Sequence, residues 1–95
     1  MTTTMVARAR AIFRGRVQGV YFRAHCQEKA RELGLVGFVR NLGDGTVEAV
    51  FEGARELIEE CIDWNRTSQP NARVGSVDVT WQEPRGEFRA FHVEH

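Results

Sequence analysis

The chain switches between two hydrophobic periodicities. Over residues 7–13 every second residue is alanine or phenylalanine, and mostly arginine lies between them, which is typical of a strand with one small apolar face. From Phe22 to Leu33 the apolar positions recur every three or four residues, which indicates an amphipathic helix. Gly34 is a natural end for that helix, because glycine tolerates the left-handed backbone found there. The first third of the chain therefore predicts a strand, a loop and a helix.

The same two periods continue through the rest of the chain. Gly43, Asp44 and Gly45 are typical of a hairpin turn, since glycine adopts the positive φ that such turns require. Apolar residues between Leu57 and Ile62 have helical spacing and predict a second amphipathic helix. After the first helix the predicted elements are strands over residues 36–42 and 46–51, a helix over 54–66, a strand over 77–81 and a short strand over 88–93.

The order of these elements predicts the fold class. It is β-α-β-β-α-β with a short terminal strand, which is the pattern of the ferredoxin-like α+β sandwich. The hairpin excludes an all-parallel sheet, so a mostly antiparallel sheet with two helices on one face is expected. A length of 95 residues suits one domain, residues 1–95, in which residues 1–5 are expected to be flexible.

Charge is balanced over the whole chain but uneven along it. The formal net charge is zero, yet residues 1–47 hold eight basic and three acidic residues, an excess of five positive charges. A local basic region on a neutral protein fits a small anionic ligand better than a long polyanion, so no nucleic-acid partner is expected.

The apolar segments and the two cysteines of the chain indicate its cellular compartment. No apolar run approaches the ~20 residues needed to span a bilayer, and the first five residues lack the features of a signal peptide. Cys26 and Cys61 fall within helical apolar patterns and are predicted to be reduced core thiols. We therefore expect a cytoplasmic protein without a membrane segment, and its size and neutral charge fit a monomer.

The segment from Gly15 to Arg23 is the first candidate for chemistry. A strand ends, a loop with two glycines follows and a helix begins, and a helix N-terminus exposes unpaired N–H groups that attract anions. Arg23 in the first helical turn opposes the helix dipole, a penalty that a bound phosphate would remove. The alternative is a plain strand-to-helix turn with a solvated arginine. A Walker A loop is excluded because its lysine and hydroxyl are absent.

Asn41 is the second candidate, at the end of the second predicted strand. An amide side chain offers both a donor and an acceptor, so it can hold a water molecule in a fixed orientation. Asparagine also often starts turns, which is the alternative for this position.

The two segments together resemble the two signatures of the acylphosphatase family. Residues 15–23 read Gly-Arg-Val-Gln-Gly-Val-Tyr-Phe-Arg, which is similar to the family core G-x-V-Q-G-V-x-F-R. Residues 37–41 read Gly-Phe-Val-Arg-Asn and, with Gly45, Val47 and Gly53, resemble the second signature at its full spacing. The resemblance covers essentially the whole chain.

The resemblance implies a hydrolase that converts small acyl phosphates into a carboxylate and phosphate. It implies two catalytic residues: Arg23 would bind the phosphoryl oxygens, and Asn41 would position the attacking water. Loop amides would surround the same group, and no metal or organic cofactor is implied. The substrate-binding residues would be Gly15, Arg16, Val17, Gln18, Gly19 and Val20.

Three alternatives are compared with the hydrolase. A non-catalytic anion-binding or regulatory module of the same fold remains open. An RNA-binding version is disfavoured, because Glu48 and Glu52 lie on the sheet face where such modules present aromatic residues. A related domain begins large carbamoyltransferases of hydrogenase maturation, and a chain ending at His95 favours the separate hydrolase. His25, His92, His95 and Cys26 are not predicted to be catalytic.

Overall fold

The computed structural model describes residues 6–95, so the expectation for residues 1–5 lies outside the described residues. Five strands form one sheet in the order β4-β1-β3-β2-β5, and every pairing is antiparallel except that of β2 with β5. This confirms the predicted mostly antiparallel sheet. The elements in chain order are β1 (Val6–Arg16), α1 (Phe22–Glu32), β2 (Val36–Asn41), β3 (Val47–Ala54), α2 (Arg55–Thr67), β4 (Arg73–Gln82) and β5 (Phe91–Glu94).

Both helices pack on one face of the sheet, and the core lies between them and it. The alternating residues Ala9, Ala11 and Phe13 of β1 are completely buried. Alanine is small, so this face of the central strand lets the helices approach closely, while Phe13 packs against Phe22 of α1 with ring centroids 5.1 Å apart. Among residues 6–95, one core cluster joins residues from β1, β2, β3, β5 and both helices.

The other face of the sheet carries a layer of ion pairs. Glu52 is 3% exposed and accepts a hydrogen bond of 2.7 Å from Arg8. Glu48 is 4% exposed and pairs with both Arg10 and Arg40. The segment between β4 and β5 extends over this face, since the backbone amides of Arg85 and Gly86 also donate to Glu52. The two glutamates are thus neutralised within the fold.

Element boundaries differ from the expectation at the end of β1. The prediction ended this strand at Phe13, but it continues through Gly15 and Arg16, because β4 begins at Arg73 rather than Val77 and pairs with them. The register shifts between Arg14 and Gly15. Gly15 has φ +124°, and a Cβ there would overlap the carbonyl oxygen of Arg73. Gly15 is thus required by the close approach of β4.

Two further strand boundaries of the sequence-based prediction were wrong. The last strand begins at Phe91 rather than at residue 88, because the preceding residues cross the sheet face, where Phe88 packs against Phe38. β3 continues past Phe51, where the prediction had ended it, and remains paired with β1 as far as Ala54. The two helices match their predicted ranges to within about a residue at most ends.

The buried carboxylate of Glu52 predicts how stability depends on pH. Burial by itself raises the pKa of Glu52, but the hydrogen bonds from Arg85, Arg8 and Gly86 outweigh it, so the pKa lies below its usual value. A carboxyl whose pKa is lower in the folded state contributes stability above its unfolded pKa of about 4.3 and loses it as the pH falls through the folded value. We therefore expect the free energy of unfolding to fall more steeply below about pH 4 in the wild type than in Glu52→Gln.

Urea unfolding between pH 3 and pH 7 measures this difference. Glu56→Gln is the matched control, because Glu56 is an exposed carboxylate on α2. Parallel pH curves for the wild type and Glu52→Gln would contradict the expectation.

Candidate active site

The loop between β1 and α1 leads into a helix whose first turn is open. Residues 18–21 form bends, and α1 begins at Phe22. Tyr21 at the N-cap has φ 59° and ψ 25°, and no side chain caps the helix. The first turn also contains no acidic residue. The N–H groups of this turn can therefore bind an anion, and the dipole of the helix favours one.

Buried apolar side chains on both sides of Gly19 anchor the loop. Val17 is 1% exposed and Val20 is 7% exposed, so both contribute to the core. Gly19 between them has φ +77°, a conformation that glycine adopts without strain. The backbone of the loop is therefore held in place by its own hydrophobic residues and does not depend on a ligand for its position.

Gln18 connects this loop to the hairpin between β2 and β3. Its Nε2 donates to the carbonyl oxygens of Leu42 and Thr46, each at 2.9 Å. These two carbonyls follow Asn41 closely in the chain, so the two bonds hold the loop beside Asn41. The side chain of Gln18 is thus directed toward the hairpin, which leaves the backbone N–H as the group that this residue can offer to a ligand.

The strand register places Asn41 close to the loop between β1 and α1. Val47 of β3 lies opposite Phe13 on β1 and opposite Asn41 on β2. The end of β1, from which the loop departs, and the end of β2, which carries Asn41, are therefore separated by one strand. Asn41 is exposed, and its side chain makes no hydrogen bond to the described residues.

A pocket of about 570 Å³ lies where these elements meet. It brings together Arg23 and Asn41, the two residues predicted to be catalytic, with Val17 and Gly19 of the loop. Of the other predicted binding residues, Arg16 and Val20 line a neighbouring pocket, and Gly15 lies within β1. The full lining of the first pocket is Val17, Gly19, Tyr21, Phe22, Arg23, Ala24, Asn41, Val93 and His95.

Arg23 has no carboxylate partner among residues 6–95. Its Nη1 donates to the backbone oxygen of Glu94 at 3.1 Å and lies 3.3 Å from Nδ1 of His95. The guanidinium is thus oriented by the end of β5 while its positive charge remains available to an anion. Sequence reasoning gave His95 no catalytic role, and the residue is exposed, but it also lines the pocket. No local signal indicated this, because it depends on the pairing of β5 with β2.

Neither cysteine has the properties of a nucleophile. Burial raises the pKa of Cys61 to about 12, and burial, reinforced by Cys61, raises the pKa of Cys26 well above its usual value. Both are free thiols in the core, as predicted. His25 lies outside the pocket. Within the described part of the chain, no three His, Cys, Asp or Glu side chains are grouped in a way that could hold a metal ion.

Comparison with known proteins identifies the family. The family model described as Acylphosphatase matches residues 9–93. The chain belongs to the acylphosphatase family. An acylphosphatase of Roseiflexus is 50% identical over 88 residues, which cover 93% of this chain and 95% of that protein. The acylphosphatase relationship confirms the expected reaction class, hydrolysis of an acyl phosphate.

Solved structures agree with the acylphosphatase assignment. The crystal structure of acylphosphatase from Bacillus subtilis superimposes with a TM-score of 0.89 at 31% identity, covering 96% of this chain and all of that one. HypF of T. kodakarensis superimposes with a TM-score of 0.77 at 34% identity, but the match covers 12% of its length. The chain thus corresponds to a small part of HypF and to nearly the full length of the acylphosphatases. Within residues 6–95, neither helix has the length and apolar character that a membrane span requires.

The hydrogen bonds of Gln18 to the hairpin predict that replacing Gln18 lowers the activity even though Arg23 and Asn41 are unchanged. In Gln18→Ala each of the two carbonyl oxygens loses one donor and keeps a backbone N–H of the hairpin, and the two lost hydrogen bonds cost about 1–2 kcal/mol of stability. Because the loop is then free to move relative to Asn41, we expect kcat/KM for an acyl phosphate to fall about tenfold or more. Urea unfolding and steady-state kinetics measure the two effects.

Gln82→Ala is the control for this variant, since Gln82 accepts one hydrogen bond from Arg8 on the far face of the sheet. It is expected to lose stability but to keep kcat/KM. Equal kinetic losses in the two variants would show that stability alone explains the effect.

Proposed function

We propose that this pocket binds the phosphoryl group of a small acyl phosphate and that water attacks its phosphorus directly. The water oxygen forms a bond to phosphorus, the bond from phosphorus to the acyl oxygen breaks, and the carboxylate leaves with the electron pair. The products are a carboxylate and inorganic phosphate. The observation that supports this most is the meeting of Arg23, the loop and Asn41 in one pocket.

Arg23 and the loop amides are assigned to binding the phosphoryl oxygens. A guanidinium can donate two parallel hydrogen bonds to a phosphate, and Arg23 lies in the uncapped first turn of α1. Its positive charge there is unfavourable with respect to the helix dipole until an anion binds. Backbone N–H groups of residues 16–20 add neutral donors. Phosphoryl transfer depends mainly on such charge neutralisation and on positioning.

Asn41 is assigned to the attacking water. It lies across the pocket on a different element from Arg23, and its side chain has both a donor and an acceptor that no described residue uses. An amide can thus orient a water molecule for in-line attack without taking its proton. We assign that proton to an oxygen of the phosphoryl group. The carboxylate is a stable anion, so it leaves without a general acid.

We also propose that the protein is a cytoplasmic monomer built from one domain, residues 1–95. Cys26 and Cys61 are free and buried, which suits a reducing compartment. The exposed large hydrophobic residues of the described chain are Val6 on β1, Tyr21 in the loop before α1 and Val79 on β4, whereas a stable dimer buries a continuous apolar surface. Sedimentation equilibrium at micromolar concentration tests the monomer.

Hydrolysis of benzoyl phosphate in the presence of a chelator tests the proposed function. We expect turnover by the wild type and a loss of kcat/KM of about a hundred- to a thousandfold or more in Arg23→Ala, because a charge that stabilises the transition state is removed. Arg23→Lys should recover part of it. Arg89→Ala, which removes an exposed guanidinium outside the pocket, is the control. An inactive wild type that still binds phosphate would support a non-catalytic anion-binding module instead.

Asn41→Ala is expected to separate turnover from binding. If Asn41 holds the water and not the substrate, kcat should fall about ten- to a hundredfold while KM changes by no more than about twofold. Thermal unfolding checks that the variant is folded. Full turnover in Asn41→Ala would remove this role, and a phosphorylated side chain trapped during turnover would rule out direct attack by water.

A further inference from the structure

A second pocket of about 570 Å³ adjoins the proposed phosphoryl site, and its lining is strongly basic. The two pockets share Gly19 and Tyr21, so they lie on either side of this part of the loop. The second pocket adds Arg16 at the end of β1 and Arg73 at the start of β4, together with the amide side chain of Asn71. No carboxylate residue is part of this lining.

Strand pairing places the two arginines side by side. Arg16 and Arg73 are directly opposite each other in the antiparallel pairing of β1 with β4. Residues in this position project to the same side of a sheet, and like charges there destabilise the pairing. Neither arginine forms an ion pair with the described residues, although Arg14, two residues before Arg16 in β1, pairs with Asp78. The repulsion is therefore left for solvent or for a ligand to relieve.

Tyr21 lies between the two pockets in an unusual conformation. Its φ of 59° is unfavourable for a residue with a large side chain, and the residue is 80% exposed. It is the one aromatic side chain of residues 6–95 among the exposed large hydrophobic residues. A ligand that extends from one pocket to the other would pass along this ring, where an apolar chain can make contact.

We propose that the second pocket binds an anionic group at the far end of the acyl part of the substrate. The proposal rests on the proposed function, because it requires the phosphoryl group to bind beside Arg23. The acyl chain then passes Tyr21, and its terminal carboxylate or phosphate is bound by Arg16 and Arg73. The preferred substrates are acyl phosphates that carry a second negative charge, and neutral acyl chains are hydrolysed less efficiently.

A matched pair of substrates tests this subsite. Adipoyl monophosphate and hexanoyl phosphate have six-carbon chains and the same leaving-group chemistry, but only the first ends in a carboxylate. We expect the wild type to prefer adipoyl monophosphate by about five- to tenfold in kcat/KM. The preference is modest because partly exposed charge pairs contribute little binding free energy. The preference should shrink at 0.5 M salt, which screens such pairs.

Arg73→Gln should reduce this preference to nearly one, chiefly through a higher KM for adipoyl monophosphate, whereas Arg73→Lys should keep part of it. Arg89→Ala is the control and should keep the whole preference. If the wild type hydrolyses both substrates equally well, or if Arg73→Gln retains the preference, the subsite is wrong although the proposed function stands. If neither substrate is hydrolysed, the proposed function itself fails.

Free adipate distinguishes a subsite for the substrate from a separate anion site. If it binds between the same arginines, it should inhibit hydrolysis of adipoyl monophosphate competitively in the wild type, and more weakly in Arg73→Gln. If instead it changes kcat for hexanoyl phosphate without competing, the pocket is a separate regulatory site and the proposal is overturned.

Discussion

The position of Val47 between two neighbouring strands is the constraint on which the site depends. Val47 lies opposite Phe13 on one side and opposite Asn41 on the other. A shift of β2 by one residue would turn Asn41 to the other face of the sheet, and the same shift of β1 would expose the buried side of that strand. The hydrophobic pattern that stabilises the core therefore also determines where the polar side chains of the site lie. Stability and geometry are set by the same pairing.

Local sequence was sufficient for the elements and for the two halves of the site. The switch from alternating to helical spacing at Phe22 identified the loop, and Asn41 was located by the hairpin turn that follows it. Both signals are short-range, because each depends on residues within a turn or a strand. The resemblance to the acylphosphatase signatures then joined the two halves, which periodicity alone could not do.

Contacts between distant segments were not predictable in this way. The bonds from Gln18 to the hairpin span 24 and 28 residues, and the contact of Arg23 with Glu94 spans 71. The continuation of β1 through Arg16 likewise depends on Arg73, which is remote in the chain. Nothing near these positions in the sequence distinguishes a side chain that faces a ligand from one that faces another loop. The positive φ of Tyr21 was not predictable from local sequence either, because it depends on how the buried side chains of its neighbours anchor the loop.

The ion pairs on the outer face of the sheet have a consequence for how the sequence can vary. Glu48 and Glu52 are buried, and each satisfies more than one partner, so replacing either one alone would leave an arginine or a pair of amides without its acceptor. Removing one member of a pair that is buried on both sides, such as Arg8 and Glu52, costs about 3–5 kcal/mol, a large part of the stability of a small domain. Substitutions on this face should therefore occur in linked sets across β1, β2 and β3, and variation at one of these positions should predict variation at the others.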